Sequence, residues 1–173
     1  MALIGAGFSV SSGLSTFRRD DGRWRGIEPQ KLLNVKALSQ DPVKVWWFFN
    51  DRMKRAQEAE PNRGHIALAK FAKEKDELFA VNQNIDGEHT YRGYDLRQCM
   101  LILLGLCQRA GFPDEQIAQI HGNLFEMKCS KYASGSTDRC DYSAPITYPA
   151  NEALMITTDN SDPSVPLPPL DHT

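Results

Sequence analysis

Short apolar runs, each followed by a polar or glycine-rich turn, mark the candidate strands of this chain. The run at 2–4 leads into a glycine-rich stretch, and the run at 78–81 leads into a stretch rich in asparagine. This pattern is typical of buried strands in an open α/β sheet, where ligands bind at the carboxyl ends of the strands. We therefore predict parallel strands near residues 2–5 and 78–82.

Apolar residues at helical spacing predict the helices. Residues 41–59 begin with Asp-Pro, a favourable cap and first helical position, and residues 64–75 form a second candidate helix. A shorter helix is predicted over 113–119, with Ile117 and Ile120 facing inward. The side chains expected on the apolar faces of the two longer helices are Val45, Phe48, Phe49, Met53, Ile66, Leu68, Ala69 and Phe71.

The glycine-rich stretch from Gly5 to Leu14 reads as a tight turn followed by a helix start, with Ser11 or Ser12 as N-cap. Glycines let the backbone approach a ligand closely, and the free N–H groups of a helix start attract phosphate. One interpretation is a loop that binds the pyrophosphate of a dinucleotide. The alternative is a strand-to-helix turn without a ligand, since Val10 stands where the usual dinucleotide fingerprint has its third glycine.

Bulk properties narrow the class of protein. The 173 residues suffice for one domain of ordinary size, and the net charge of -2 argues against direct binding to nucleic acid. The longest apolar run, at 100–106, is too short to span a bilayer, so we expect no membrane partner. We read no secretory segment, so the four cysteines favour free thiols or a metal site over disulfides. An intracellular location is expected, and cytoplasm, nucleus and mitochondrion are not distinguishable.

Three motifs follow one another along the chain. Residues 5–18 contain Gly-Ala-Gly-Phe-Ser and then Ser-Gly-Leu-Ser-Thr-Phe-Arg, residues 82–87 read Asn-Gln-Asn-Ile-Asp-Gly, and residues 120–125 read Ile-His-Gly-Asn-Leu-Phe. In this order they resemble the opening, nicotinamide-ribose and catalytic-histidine motifs of the sirtuins, the NAD-dependent protein lysine deacylases. The resemblance covers roughly residues 2 to 140.

The resemblance implies that NAD is consumed as a co-substrate. Nicotinamide leaves, and the acyl group of an acyl-lysine protein or peptide moves to ADP-ribose. His121 would be the base that deprotonates a ribose hydroxyl, a task that suits histidine because a free imidazole titrates near neutral pH. The residues implied to bind NAD are Gly5, Ala6, Gly7, Ser9, Phe17, Arg18, Gln83, Asn84 and Asp86.

The resemblance also implies a substrate-binding role for Arg52. Sirtuins that remove acidic acyl groups have a Tyr-x-x-Arg pair at this place, where the guanidinium pairs with the acyl carboxylate. Here Phe49 replaces the tyrosine, which removes a hydrogen bond worth about 1 kcal/mol or somewhat more. A preference for succinyl or malonyl lysine is one interpretation. The other is a surface arginine on an amphipathic helix.

A surplus segment interrupts the family pattern after its Asn-Ile-Asp-Gly motif. The pattern continues through Leu-His to Arg-Ala-Gly, whereas this chain has Glu88 and His89 and reaches Arg-Ala-Gly only at 109–111. Removal of 90–107, an in-frame surplus of 18 residues, would restore the spacing. We interpret this segment as translated intron. The alternative is a genuine loop insertion, although its apolar run is unusual for a surface loop.

Cys129 and Cys140 are the candidate zinc ligands. A structural zinc site needs four nitrogen or sulfur ligands, commonly as two close cysteine pairs. Tyr132 occupies the position where a partner of Cys129 would be expected, and no cysteine follows Cys140. This leaves half of a zinc site, which Cys99 and Cys107 could complete in principle, or ordinary thiols.

The predicted fold is α/β: an incomplete Rossmann-like doubly wound parallel sheet with the beginning of a small zinc-binding module, over 1–142. A sheet of this type has about five or six strands, and only two are read here. Residues 143–173 carry six prolines and are predicted to be irregular.

Two other functions compete with a truncated, impaired deacylase. The first is a non-catalytic remnant that binds a nucleotide or a partner. The second is a conventional Rossmann oxidoreductase, which is disfavoured because no acidic residue stands at a strand end about 20 positions after the glycines. The oligomeric state is not readable from the sequence.

Overall fold

The structure is a computed structural model. It describes residues 1–16, 22–86, 105–128, 143–146, 149, 155 and 161–169. The chain divides into two compact units, which comprise Met1–Thr16 with Arg55–Phe125 and Phe17–Lys54 with Glu126–Thr173.

The first unit contains a parallel sheet of three strands in the order β1-β2-β3. These strands are β1 (Ala2–Ile4), β2 (Ala80–Asn82) and β3 (Ile117–Gln119). Leu3 is in register with Val81, and Val81 with Ala118. The two predicted strands and the α/β class are therefore confirmed.

β3 corrects the helix that was predicted over 113–119. Only Asp114–Gln116 is helical, as a single 3₁₀ turn, and the chain then extends to pair with β2. Pairing with a strand distant in sequence supplies the hydrogen bonds that a short helix would have made for itself, so tertiary structure overrides the local pattern. Ile117 is buried as expected, but Ile120 is 53% exposed.

One face of this sheet carries the core of the first unit. Helices α4 (Arg63–Glu74) and α5 (Leu106–Arg109) contribute to it. The buried members of this core are Ile4, Ala69, Ala72, Ala80, Cys107, Phe112 and Ile117. Leu3, whose side chain alternates to the opposite face, is 66% exposed.

The bounds predicted for α4 are confirmed within two residues, but its predicted apolar face is partly wrong. His65, Ala69 and Ala72 are buried, whereas Ile66 and Phe71 are exposed. Alanines allow a helix to approach its neighbours closely, so the small residues of α4 face inward and larger apolar ones remain outside.

The second unit is built on an aromatic core. Its helices are α1 (Pro29–Leu32), α2 (Val35–Gln40) and the part of α3 (Pro42–Glu58) that ends at Lys54. The prediction for 41–59 is confirmed, and Asp41 acts as the cap because its carboxylate accepts from the backbone N–H of Lys44 at 3.0 Å. The buried members of this core are Trp24, Leu32, Val45, Trp47 and Phe48.

Part of the proline-rich region is ordered within the second unit. β5 (Ser143–Pro145) pairs antiparallel with β4 (Glu126–Lys128). Farther along, Leu167 packs against the aromatic core, and the indole N–H of Trp47 donates to the carbonyl of Pro168 at 2.9 Å. The region predicted to be irregular therefore contributes a strand and core contacts. The domain boundary at 142 stays a prediction.

Within the part of the chain that the structure describes, no helix is both long enough and apolar enough to cross a membrane.

Acidification is expected to destabilise the first unit through His65. Burial lowers the pKa of His65 to about 4 from 6.5, and its Nδ1 accepts from the backbone N–H of Asn62. Between these pH values the unfolded chain binds this proton and the folded chain does not. The free energy of unfolding should therefore have its full value above pH 6.5 and decrease by up to about 3 kcal/mol as the pH is lowered through this window.

Urea unfolding at a series of pH values across this window measures the effect. The variant His65→Gln has no imidazole to titrate and should lose this part of the pH dependence. The same slope in both proteins would contradict the assignment to His65.

Candidate functional site

The candidate site lies where the three strands of the first unit end. Gly5 directly follows β1, residues 83–86 follow β2, and His121 stands two residues after β3. Because the strands are parallel, their carboxyl ends meet at the same edge of the sheet, which is where open α/β sheets bind ligands. Pairing continues past the strands, since the N–H of Gln83 donates to the carbonyl of Ile4 at 2.9 Å.

The loop after β1 is a 3₁₀ helix over Ala6–Ser12, hereafter the 3₁₀ loop. It ends at Gly13, whose φ of 88° lies in the left-handed region that favours glycine. The prediction that Ser11 or Ser12 begins a helix is therefore wrong. The glycine at 13 ends a helical segment here, and both serines belong to its last turn.

Gly5 and Gly7 have room around them. A Cβ added at either position would meet no described atom within 4 Å. Packing of the described chain therefore does not require glycine at these positions. Close approach of a ligand to the backbone does supply a reason for glycine there.

Ser9 joins the loop to the segment after β2. Its buried hydroxyl donates to Asp86 Oδ2 at 2.7 Å. The side-chain N–H of Asn84 donates to the carbonyl of Gly5 at 3.1 Å and lies 3.4 Å from Ser9 Oγ. Four of the predicted NAD-binding residues, Gly5, Ser9, Asn84 and Asp86, thus form one hydrogen-bonded group.

Two opposing effects act on the carboxyl of Asp86. Burial raises its pKa, while hydrogen bonds from Ser9 and from its own backbone N–H favour the ionised form and lower it; burial is the larger effect. Asp86 is therefore a buried carboxyl whose ionised form Ser9 helps to stabilise, at the place where the sequence predicts contact with a ribose.

His121 is exposed and has a fixed ring orientation. Its Nδ1 lies 2.9 Å from the carbonyl oxygen of Gln83. A carbonyl only accepts, so this contact places a proton on Nδ1, and in the neutral ring the lone pair is then on Nε2. This geometry suits a base. The sequence did not predict that the backbone carbonyl of Gln83 would orient the ring.

A buried polar pair lies beneath these residues and was missed by the sequence reading. Asn82 and Gln119 occupy the last positions of β2 and β3, and Asn82 Nδ2 donates to Gln119 Oε1 at 3.2 Å. The side-chain oxygen of Asn82 accepts from the N–H of Asn84 at 3.0 Å. In the sequence, this pair could have been recognised from the polar amide side chains that end two otherwise apolar strands.

Arg52, the predicted acyl-binding residue, lies in the second unit. Its guanidinium donates to the carbonyl of Gly22 at 2.6 Å and stacks over the ring of Phe48 at 5.2 Å. Phe49 packs against the aromatic core. The role of Arg52 toward a substrate stays a prediction.

The remaining predicted site residues, Phe17, Arg18, Cys129 and Cys140, lie outside the described residues, as does Cys99. Among the residues that are described, no group of three or more His, Cys, Asp or Glu side chains could hold a metal ion. Cys107 is buried in the core, where burial and the charge of Asp86 raise its pKa to about 12.

Removal of the Ser9 hydroxyl is expected to destabilise the first unit in a pH-dependent way. Ser9→Ala removes the side-chain donor to the Asp86 carboxylate, which should cost about 1–3 kcal/mol where Asp86 is ionised and less where it is protonated. Chemical unfolding at neutral and acidic pH measures the difference. Ser11→Ala, at an exposed serine of the same loop, is the matched control. A penalty that does not vary with pH would contradict this account of the pair.

Comparison with known proteins places these features in a family. The family model described as "Sir2 family" matches residues 5–102. An NAD-dependent protein deacylase of Candida albicans is 34% identical over 85% of this chain and 43% of its own length. One from Aquifex aeolicus is 30% identical over 84% of this chain and 52% of its own length.

Solved structures agree with this assignment. A mutant Sir2 homologue in complex with 2'-O-acetyl ADP-ribose has a TM-score of 0.66 and 32% identity, over 86% of this chain and 49% of its own. A Sir2 homologue in complex with NAD has a TM-score of 0.64 and 30% identity, over 86% of this chain and 48% of its own. The chain thus spans about half the length of these relatives and shares their Rossmann-like fold over that stretch. On these grounds the chain belongs to the Sir2 family.

Proposed function

We propose that this chain acts as an NAD-dependent protein lysine deacylase, in which the acyl group moves from lysine to ADP-ribose and nicotinamide is released. The observation that carries the proposal is the convergence of Ser9, Asn84, Asp86 and His121 at the ends of three parallel strands. The names of the relatives, and the NAD and 2'-O-acetyl ADP-ribose bound in two of them, support it.

The 3₁₀ loop and the segment after β2 would bind NAD as a substrate. Gly5 and Gly7 leave space for NAD to approach the backbone closely. The partners for its ribose hydroxyls and its nicotinamide amide would be the carboxyl of Asp86 and the side-chain amides of Gln83 and Asn84. Phe17 and Arg18 are proposed to complete this site by family resemblance.

His121 would supply the base. When nicotinamide leaves, the acyl oxygen bonds to the ribose carbon, and a neighbouring ribose hydroxyl must then lose a proton to attack the intermediate. Nε2 of His121 is the atom that takes this proton, since Nδ1 is engaged with the carbonyl of Gln83.

The substrate is proposed to be an acylated lysine of a protein or peptide. An acidic acyl group is one option, because a guanidinium such as that of Arg52 pairs well with a carboxylate. Phe49 lacks the hydroxyl that would assist it, so acetyl-lysine remains the competing substrate.

A remnant that binds NAD without turning it over is the second candidate. The chain spans about half the length of its relatives. Among the described residues of the first unit, Leu3 and Phe79 are 66% and 42% exposed, whereas a doubly wound sheet normally has both faces packed against helices.

Release of nicotinamide tests the proposal. The purified chain, incubated with NAD and a panel of acetyl-, succinyl- and malonyl-lysine peptides, should release nicotinamide and the deacylated peptide together. His121→Asn should lower the rate by about 100-fold or more while NAD binding by calorimetry persists. His172→Asn, two positions after Leu170 in the proline-rich region, is the matched histidine control and should be unchanged.

Each alternative has its own result in this assay. Binding of NAD without release of nicotinamide from any peptide favours the remnant. Absence of NAD binding refutes both candidates.

The boundaries of the surplus segment can also be refined. Leu106 and Cys107 are 1% and 3% exposed, and α5 begins at Leu106 with Gly105 as its cap. Two residues buried in the core do not suit an insertion, so we propose that the surplus is 88–105 rather than 90–107. Both windows have the same length. Removal of 88–105 joins Gly87 to Leu106, which restores the leucine of the family pattern but puts Cys107 where the pattern has histidine.

Sequencing of the transcript across this region distinguishes the two windows. A spliced message that joins the codons of Gly87 and Leu106 is the expected result. A junction between His89 and Gln108 would support the first window, and a message that encodes all of 88–105 would support a genuine insertion.

A further inference from the structure

Asn62 lies at the N-terminus of α4 and makes contacts in two directions. Its side-chain oxygen caps the helix by accepting from the N–H groups of Gly64 and His65, at 2.8 and 3.3 Å. Its side-chain N–H₂ points the other way, donating to the carbonyl of Phe8 at 2.7 Å and to Ser12 Oγ at 3.1 Å. A cap requires only the oxygen, so the amide nitrogen is surplus to that role.

Two further contacts join the same helix end to the 3₁₀ loop. The ring of His65 packs edge-on against Phe8, with 4.6 Å between ring centroids. A Cβ added to Gly64 would lie 3.1 Å from the ring of Phe8 and 3.0 Å from Asn62 Oδ1, so a side chain there would force one of them to shift by a few tenths of an ångström. Asn62, Gly64 and His65, all at the N-terminal end of α4, thus lie against the loop that carries Ser9.

The loop they hold is the one that reaches the candidate site. Phe8 and Ser12, the two residues that Asn62 bonds, flank Ser9, whose hydroxyl contacts Asp86. At the ends of the loop, the N–H of Phe8 donates to the carbonyl of Gly5 and the N–H of Gly13 to that of Val10, both at 2.9 Å. A short 3₁₀ segment is weak in isolation, so external bonds decide its conformation.

We propose that Asn62 is a positioning residue for NAD binding: its amide holds the 3₁₀ loop in the conformation that aligns Ser9 with Asp86 and Asn84. It acts through the loop and does not itself meet the ligand. This inference rests on the proposed function for the identity of the ligand. Its structural part, the clamping of the loop by Asn62, can be measured without any ligand.

Two variants remove the amide and keep the cap. Asn62→Asp retains the oxygen that caps α4 but presents an acceptor to the carbonyl of Phe8. Asn62→Ser also retains a capping oxygen and adds no charge. Asn34 offers matched controls, because it caps α2 through Ala37 at 2.9 Å while its amide donates only to the nearby carbonyls of Gln30 and Lys31.

Hydrogen exchange of the whole chain, followed by mass spectrometry of its peptides, tests the clamp. Both Asn62 variants should speed exchange over residues 6–14 by roughly tenfold and leave 66–74 in α4 unchanged. The corresponding Asn34 variants should leave 6–14 unchanged. Equal acceleration in the loop and in α4 would mean that Asn62 is only a cap, and no change in the loop would mean that it does not hold the loop; either result overturns the proposal.

Titration with NAD tests the consequence. The Asn62 variants should raise the Kd or KM for NAD by about tenfold with little change in kcat, because His121 and its contact to Gln83 are untouched. A faster-exchanging loop with unchanged NAD affinity overturns the role in binding. If the unaltered chain binds no NAD while exchange responds as expected, the clamp stands and the proposed function fails.

Discussion

The parallel pairing of β2 with both of its neighbours is the constraint on which the rest of the first unit depends. β1, β2 and β3 are separated by long stretches of sequence, yet their carboxyl ends meet at one edge of the sheet. Every polar group of the candidate site is attached within a few residues of such an end. Misalignment of one strand by a single residue would turn its buried side chains to the other face and move the site with them.

Burial of polar groups links the site to stability. Asn82 and Gln119 are buried and hydrogen-bonded to each other, and the carboxyl of Asp86 accepts from the buried hydroxyl of Ser9. Such groups are costly when a partner is lost, because the remaining one stays desolvated. The same bonds that fix the geometry of the site therefore make the fold sensitive to changes there.

The two faces of the sheet differ in how they are packed. One sheet face is packed against helices, while Leu3 on the other is largely exposed in the described structure. A doubly wound sheet covers both faces, and the relatives are about twice as long as the stretch that matches them. The candidate site lies within the stretch that matches these relatives, at the carboxyl ends of the three described strands.

The sequence by itself determined the α/β class, two strands, α3 and α4, and it named the residues that the structure brings together at the candidate site, because these depend on local patterns and on motifs with fixed spacing. Tertiary structure decided what local patterns cannot specify. β3 exists because β2 offers it hydrogen bonds, the inner face of α4 is set by the close approach of alanines and His65, and the 3₁₀ loop takes its shape from contacts with Asn62 and Asp86. In each case the partner is far away in the chain, so its effect appears only when the chain is folded.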